Sequence, residues 1–282
     1  MPAKLLVIDG NNLLHRARSG FTLGEHFVAF NFFRGFRALI EKLKPNRVVM
    51  VLDGAPKKRL GLLPEYKANR MLDPTSDDPR VKQKLAELAD FRLQMSRVID
   101  LLSERFPITV MRHPDIEADD LVAHLCTSAW EAVEITVVST DTDYIQLLRD
   151  HPNVKLYNPV TKEYVEAADY DYAMWKALRG DPTDNVPGLV TDTKATDLVD
   201  DGERFAAWLT EGTNEAQLRR NLKLIRFHEL SANEVAAVKS STPKRDWDAV
   251  KARFTEWGFA SIVKPGSWDK FVTTFDSLWG AK

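Results

Sequence analysis

The sequence has only one cysteine, Cys126, in 282 residues, so it cannot form an internal disulfide. A single thiol fits a reducing compartment, and we expect a cytoplasmic protein. No apolar run is long enough for a signal peptide or a membrane span, so no membrane contact is expected. The six histidines are scattered, and no pair has the spacing of zinc ligands. The Walker A loop, the G-x-G-x-x-G loop and the G-x-S-x-G turn are also absent.

Charge is nearly balanced, with a formal net charge of −2, so only its local distribution can indicate a polyanionic partner. The clearest basic stretch is "GAPKKRLGLLPEYKANR" (54–70), in which Glu65 is the only acid. Its basic residues are Lys57, Lys58, Arg59, Lys67 and Arg70. We expect this stretch to attract a nucleic acid and Tyr66 to stack on a base. A solvated basic loop is the alternative.

Four short apolar runs alternate with helix-like segments: "LLVID" (5–9), "VVMVLD" (48–53), "ITVM" (108–111) and "ITVVSTD" (135–141). This alternation predicts an α/β fold, with a mostly parallel sheet flanked by helices. Parallel strands place their carboxyl ends along one edge of the sheet, where open α/β sheets bind ligands.

Acidic residues accompany the end of every run. They are Asp9, Asp53, the group Glu117, Asp119 and Asp120, and the pair Asp141 and Asp143. An aspartate after a strand often only caps the next helix, and that interpretation stays open for each position taken singly. Together, so many carboxylates at one edge require cations between them, and carboxylates select hard ions such as Mg²⁺ or Mn²⁺. The number of acids predicts two ions, the arrangement used for displacement at phosphorus.

A long helical pattern follows the basic stretch over about residues 80–105. Apolar residues are sparser in its first half, so we expect that half to stand away from the protein body. A second helical pattern lies near the end of the sequence, at Trp268, Phe271, Val272, Phe275, Leu278 and Trp279. It predicts a terminal helix docked on the body, with a base-stacking or partner-binding surface as the alternative.

Six motifs resemble, in their order, those of the 5′-nuclease family. They are "VIDGNNLLHR", "VLDG", "LPEYKANR", "IEADD", "STDTDYIQLL" and "GDPTDNVPG". The family contains bacteriophage 5′–3′ exonucleases, flap endonucleases and the 5′-nuclease domain of bacterial DNA polymerase I. The chain looks most like a free-standing phage-type enzyme, which implies a monomer working in a bacterial cell, including a phage-infected one.

The resemblance implies a DNA phosphodiesterase that acts near 5′ ends by a two-metal mechanism and leaves 5′-phosphates. Its substrates would include 5′ flaps and RNA primers on DNA. By position in the motifs, the first metal site is matched by Asp9, Asp53, Glu117 and Asp119, and Asp120 fits a further acid of the same motif. The second metal site is matched by Asp141, Asp143 and Asp184, with Asp181 beside it. Lys67 and Arg70 would stabilise charge in the transition state.

The resemblance also implies a PIN-like catalytic domain over residues 1–175, with a helical arch at about 57–95. Residues 176–282 would form a helical region, in which a helix-three-turn-helix at about 176–230 grips duplex DNA. The family usually has a glycine-rich K⁺-binding hairpin there, but this chain has Thr191 and Thr193 at the glycine positions. We therefore expect no standard K⁺ site and a weaker grip, in which Lys194 takes part.

Three other hypotheses account for part of the pattern. A PIN-type ribonuclease would share the acidic edge but would not need the long insertion at 57–105. A nucleic-acid-binding module without turnover would not need the full set of carboxylates together with Lys67 and Arg70. A phosphohydrolase of the DxD type would carry that motif directly after the first strand, where this chain has "DGNN".

Overall fold

The computed structural model describes residues 3–22, 24–129 and 132–279. Among these residues, seven strands form one sheet in the order β6-β5-β4-β1-β2-β3-β7. The strands are β1 (Ala3–Asp9), β2 (Arg47–Leu52), β3 (Thr109–Arg112), β4 (Val133–Val138), β5 (Val154–Asn158), β6 (Glu163–Val165) and β7 (Lys239–Ser240). Strands β1 to β5 pair in parallel, whereas β6 and β7 are antiparallel edges. The predicted α/β fold is therefore confirmed, and the four apolar runs form β1 to β4.

Helices cover both faces of this sheet. They are α1 (Gly10–Ala17), α2 (Phe27–Leu43), α3 (Lys57–Leu62), α4 (Pro79–Arg105), α5 (Ala118–Ser128), α6 (Ile145–Leu148), α7 (Tyr172–Arg179), α8 (Asp192–Asp200), α9 (Gly202–Leu209), α10 (Asn214–Ile225), α11 (Ala232–Ala237), α12 (Trp247–Glu256), α13 (Ala260–Val263) and α14 (Ser267–Asp276). Short 3-10 turns occur at Ala68–Arg70, Thr142–Tyr144 and Pro182–Asp184. None of the described helices has the length and apolar character of a membrane span.

Alternation along the strands divides the core into two layers. Leu6 and Ile8 of β1 pack on one face with residues of α1, α2, α4 and the C-terminal helices α12 to α14. Val7 packs on the opposite face with residues of α5 and α6. This period of two is the expected result of a pleated strand buried on both sides.

Helix α4 is divided between an exposed and a packed half. Its first buried residue is Phe91, and the following buried positions, including Val98 and Leu102, join the core. The residues before Phe91 are exposed or only partly buried, as predicted. At the other end of the chain, Trp268, Phe271 and Phe275 of α14 are buried, which confirms a docked terminal helix.

Helices α7 to α10 form a separate apolar cluster. Helix α7 spans the predicted boundary between residues 175 and 176, so the helical region includes the whole of α7. The loop to α8 brings two glycines together: a Cβ on Gly188 would lie 2.3 Å from the Arg179 carbonyl oxygen, and Gly180 has a φ of +80°. Gly188 thus permits close packing of two backbone segments. Thr191, at a position where the family has glycine, caps α8 by accepting the Lys194 N–H.

Candidate metal centre

The acids that follow β1 and β4 are fixed by local capping. Asp9 ends β1 and caps α1: its Oδ1 accepts the Asn12 N–H at 3.0 Å. Its Oδ2 accepts the Ser139 hydroxyl at 2.9 Å, which ties β1 to the loop after β4. In that loop, Asp141 Oδ1 accepts the Asp143 N–H at 2.9 Å. The capping interpretation is therefore correct for these residues.

Asp53 connects the loops that follow β2 and β3. Its Oδ1 accepts the Ala118 N–H at 2.8 Å, which caps α5. Gly54 allows this approach, because a Cβ there would lie 2.0 Å from the His113 carbonyl oxygen. Within the described residues, no hydrogen bond reaches Oδ2 of Asp53 or of Asp141. Capping therefore orients these carboxylates and leaves one oxygen available to the cleft.

Lys67 and Arg70 lie at the base of the predicted arch and contact the acidic edge. The Lys67 ammonium forms an ion pair with Glu117 and lies 3.5 Å from Asp184 Oδ2. The Arg70 guanidinium forms an ion pair with Asp184. Lys67 adopts a left-handed backbone conformation with φ 58°, and its N–H donates to the Asp184 carbonyl at 3.0 Å. Such a conformation in a non-glycine residue is uncommon and concentrates at functional sites.

Lys176 completes the edge, although its signal in the sequence is weak. It is a buried lysine of α7 that forms an ion pair with Asp143 and lies 2.8 Å from Asp181 Oδ2. In "YAMWKALR" it stands among apolar residues on the packed side of an amphipathic helix. A charge in that position requires a buried partner of opposite charge, and the sequence alone does not show which residue is the partner.

Arg59 and Asp120 are buried against each other, and the burial of Arg59 corrects one prediction. Arg59 is 2% exposed and cannot contact DNA, because its guanidinium is enclosed by Glu117 and Asp120. Asp120 is also 2% exposed, and its oxygens accept hydrogen bonds from Arg59 and from the His228 N–H. The prediction of Arg59 as a DNA contact is therefore wrong. The role of Asp120 as a metal ligand stays a prediction.

Tyr66 requires a second correction. Its ring is 4% exposed and packs in the cluster of α7 to α10, so it cannot stack on a base. Its hydroxyl instead donates to Asp184 Oδ2 at 2.9 Å. Lys57 and Lys58 remain exposed, although each forms an ion pair on the protein surface, with Asp115 and with Glu234. Lys194 is exposed in the first turn of α8.

The acids at this edge influence one another electrostatically. Desolvation by burial, with the charges of Asp53 and Asp141, raises the pKa of the Asp9 carboxyl to about 7. Desolvation and the charge of Asp141 raise the pKa of Asp143 to about 7 as well, in spite of Lys176. Neighbouring negative charges thus add to the effect of burial on both carboxyls, and a divalent cation would offset those charges.

The residues present fit a hard divalent ion. The Tyr144 hydroxyl is fully buried and has no hydrogen-bond partner among the described residues. Burial and the charges of Asp9, Asp119 and Asp141 raise its pKa. A buried hydroxyl is normally paired, and a hydrated cation held by these carboxylates would supply the partner. As they stand, the described residues contain no group of three or more His, Cys, Asp or Glu side chains arranged around one point. The ammonium groups of Lys67 and Lys176 lie between the carboxylates instead.

Residues 4–176 match the family described as 5′-3′ exonuclease, N-terminal resolvase-like domain. The chain belongs to the 5′–3′ exonuclease family. The matched segment contains every acid of the edge from Asp9 to Asp143, together with Lys67, Arg70 and Lys176.

Individual members of the 5′–3′ exonuclease family and solved structures extend this likeness. A 5′-3′ exonuclease of Mycobacterium tuberculosis is 30% identical over 280 residues, which cover 86% of this chain and 86% of that protein. DNA polymerase I of the same species is 31% identical over 245 residues, and the match covers 79% of this chain but only 24% of the polymerase. A crystal structure of the bacteriophage T5 flap endonuclease with DNA and metal ions covers 98% of each chain at 19% identity. Its TM-score of 0.64 shows a shared fold.

Proposed function

We propose that this protein is a divalent-metal-dependent 5′–3′ exonuclease and flap endonuclease that hydrolyses DNA near 5′ ends and leaves 5′-phosphates. One observation carries the proposal: the acids that follow β1 to β4 influence one another electrostatically, and Lys67 and Arg70 form ion pairs with Glu117 and Asp184 at the same edge of the sheet. Carboxylates for cations and fixed cationic donors for a phosphate are the two requirements of metal-assisted phosphodiester hydrolysis. The names of the family and of its M. tuberculosis member agree with this activity.

The proposed metal ligands fall into two groups along the edge. Asp9, Asp53, Glu117 and Asp119 would hold one ion, and Asp141, Asp143, Asp181 and Asp184 the other. Mg²⁺ or Mn²⁺ suits such oxygen ligands. When bound, the ions supply Lewis-acid activation of water and stabilisation of the leaving oxygen. The T5 flap endonuclease, which was crystallised with metal ions, supports a metal-dependent reaction.

The protein's own cations act on the phosphate and on the ligands. Lys67 and Arg70, both near Asp184, would donate to the non-bridging oxygens of the scissile phosphate. Lys176 forms ion pairs with Asp143 and Asp181. Although burial opposes ionisation, the Lys176 hydrogen bond keeps the pKa of Asp181 below its ordinary value. Lys176 therefore keeps this carboxylate ionised for a metal.

The substrate is proposed to be DNA with a free 5′ end. The exposed first half of α4 carries Arg80, Lys82 and Lys84, which would line the path of a 5′ single strand. The T5 flap endonuclease, whose structure was determined with DNA, supports this class of substrate. Action on RNA primers, a monomeric state and a cytoplasmic location stay predictions.

The test is a cleavage assay on 5′-flap, nicked and single-stranded DNA, and on matching RNA, with Mg²⁺, Mn²⁺ or EDTA. We expect cleavage of flap DNA that requires a divalent ion and is lost in Lys67→Ala. Lys270→Ala, which removes an exposed lysine from α14 far along the chain, is the matched control and keeps full activity. Cleavage of RNA alone would favour the PIN-type ribonuclease, and metal-independent binding without turnover would favour a binding module.

A further inference from the structure

Arg59 is a buried arginine with every N–H donor engaged. Its Nε donates to the Leu224 carbonyl at 2.9 Å, and Nη1 donates to Glu117 Oε2 at 2.7 Å and to Asp120 Oδ2 at 2.8 Å. Nη2 donates to Asp120 Oδ1 at 2.9 Å and lies 3.4 Å from the Arg226 carbonyl oxygen. One side chain of α3 thus joins the start of α5 to the end of α10.

The surroundings of Arg59 explain how a buried cation is tolerated. Two carboxylates offset its charge, and the carbonyls at the carboxyl end of α10 add the negative end of a helix dipole. A planar fork is needed to reach all these acceptors at once, which is a property of arginine and not of lysine.

The two carboxylate oxygens of Glu117 contact different cations, and these two contacts fix the orientation of the side chain. Its Oε2 accepts from the buried Arg59, whereas its Oε1 faces Lys67 and the cleft. Asp120 is held by the same guanidinium and by the His228 N–H at 2.8 Å, so it anchors Arg59 and does not point into the cleft.

We propose that Arg59 is a positioning residue of the nuclease centre: it sets the orientation of Glu117 toward the metal site and couples that orientation to the end of α10. The inference rests on the proposed function, because Glu117 is a ligand only if the edge binds metal. Helix α10 packs against α7 and belongs to the region predicted to hold duplex DNA. The position of α10 therefore affects the orientation of Glu117 at the acidic edge through Arg59.

The experiment measures metal uptake without DNA, by calorimetric titration of Mn²⁺ into the wild-type protein, Arg59→Lys and the control Arg105→Lys. Arg105 also pairs with an aspartate, Asp246 at 2.7 Å, but at the partly exposed end of α4. We expect Arg59→Lys to bind Mn²⁺ at least about 10-fold more weakly, as is usual when a group that orients a ligand is lost. The control should match the wild type.

Kinetics separate positioning from a general loss of folding. In Arg59→Lys, we expect kcat on flap DNA to fall at least about 10-fold, while KM changes by less than about twofold. For Arg59→Ala, added guanidinium ion should restore part of the Mn²⁺ affinity, because it can occupy the space between Glu117 and Asp120. If Arg59→Ala does not fold, the Mn²⁺ affinity and kcat of Arg59→Lys are sufficient to test the proposal.

Two failures are distinguishable in these data. A wild-type protein that takes up no Mn²⁺ would remove the proposed function itself. A wild-type protein that binds Mn²⁺, with an Arg59→Lys variant of equal affinity and equal kcat but lower thermal stability, would leave the nuclease proposal intact. That result would make Arg59 a structural ion pair only and overturn the inference.

Discussion

Two regions of this molecule join distant segments of the chain by opposite means. At the acidic edge, residues from β1, α3, α5, α7 and the intervening loops meet through charges. In the C-terminal aromatic cluster, defined here as Phe33, Phe36, Phe106, Phe254, Phe271 and Phe275, apolar rings from three parts of the chain meet. These parts are α2, the end of α4 and the helices after residue 246. Ring centroids there lie 4.8 Å apart for Phe33 and Phe254, and 5.1 Å apart for Phe36 and Phe275.

This difference separates residues that stabilise the fold from residues that serve the proposed activity. Aromatic burial needs no partner of particular charge, so each ring in the cluster stabilises the native state. A carboxylate at the edge instead raises the free energy of its neighbours unless a cation lies beside it. We therefore expect the aromatic cluster to govern stability and the acidic edge to govern activity.

The largest effect is expected in the aromatic cluster. Phe254 is fully buried among other rings, so Phe254→Ala should lower the free energy of unfolding by about 3–5 kcal/mol. Urea unfolding followed by circular dichroism measures it. Phe21→Ala is the control: with 57% of Phe21 exposed, its effect should stay below about 0.5 kcal/mol. A loss under about 1 kcal/mol at Phe254, on the order of a surface change, would mean that the C-terminal helices contribute little to folding.

The second effect belongs to the acidic edge. Asp141→Asn preserves a capping oxygen but removes a charge, so we expect kcat to fall at least about 100-fold with the fold intact. Flap cleavage in Mg²⁺ and a thermal melt measure the two quantities. Asp150→Asn removes an exposed carboxylate of an ion pair with Arg149 and should change neither. Loss of folding in Asp141→Asn would make that carboxylate structural, and the two regions would no longer differ.

The acidic edge could be predicted because its signal is local. Each acid stands at or just after an apolar run, and parallel strands carry their ends to one edge. The inner strand β5 and the edge strands β6 and β7 could not be recognised in the same way. Strands β6 and β7 have three and two residues, too few for a clear alternation. The sequence of β5, VKLYN, is interrupted by Lys155 and contains no continuous apolar run.

The roles of Arg59, Tyr66 and Lys176 could not be predicted because they depend on distant contacts. Arg59 and Lys67 stand in one basic stretch and look alike in the sequence, yet one is buried and the other faces the cleft. The difference arises from the end of α10, since Leu224 lies 165 positions beyond Arg59 along the chain. Tyr66 is likewise enclosed by helices that follow residue 172.

A smaller effect is expected at Tyr66, whose side chain combines an apolar contact of its ring with a hydrogen bond to an acid of the edge. Tyr66→Phe retains the buried ring and removes the hydrogen bond to Asp184, so the free energy of unfolding should fall by about 1–2 kcal/mol. Affinity for flap DNA, measured by fluorescence anisotropy with Ca²⁺ in place of Mg²⁺, should not change. A variant with unchanged stability but weaker DNA binding would mean that the Tyr66 hydroxyl contacts DNA and not Asp184.

The smallest effect concerns the surface lysines. Lys194 is exposed in the first turn of α8, whereas the Lys58 ammonium lies 2.8 Å from Glu234. A lysine that contacts a phosphate contributes about one to the slope of log affinity against log salt, because one counterion is released. Lys194→Ala should therefore lower that slope by about one, and Lys58→Ala by much less, since its charge is already paired. Anisotropy titrations on nicked DNA at several salt concentrations measure both slopes. If Lys58→Ala gave the larger change, DNA would displace Glu234 from Lys58, and surface ion pairs at the base of the arch would be part of the DNA-binding surface.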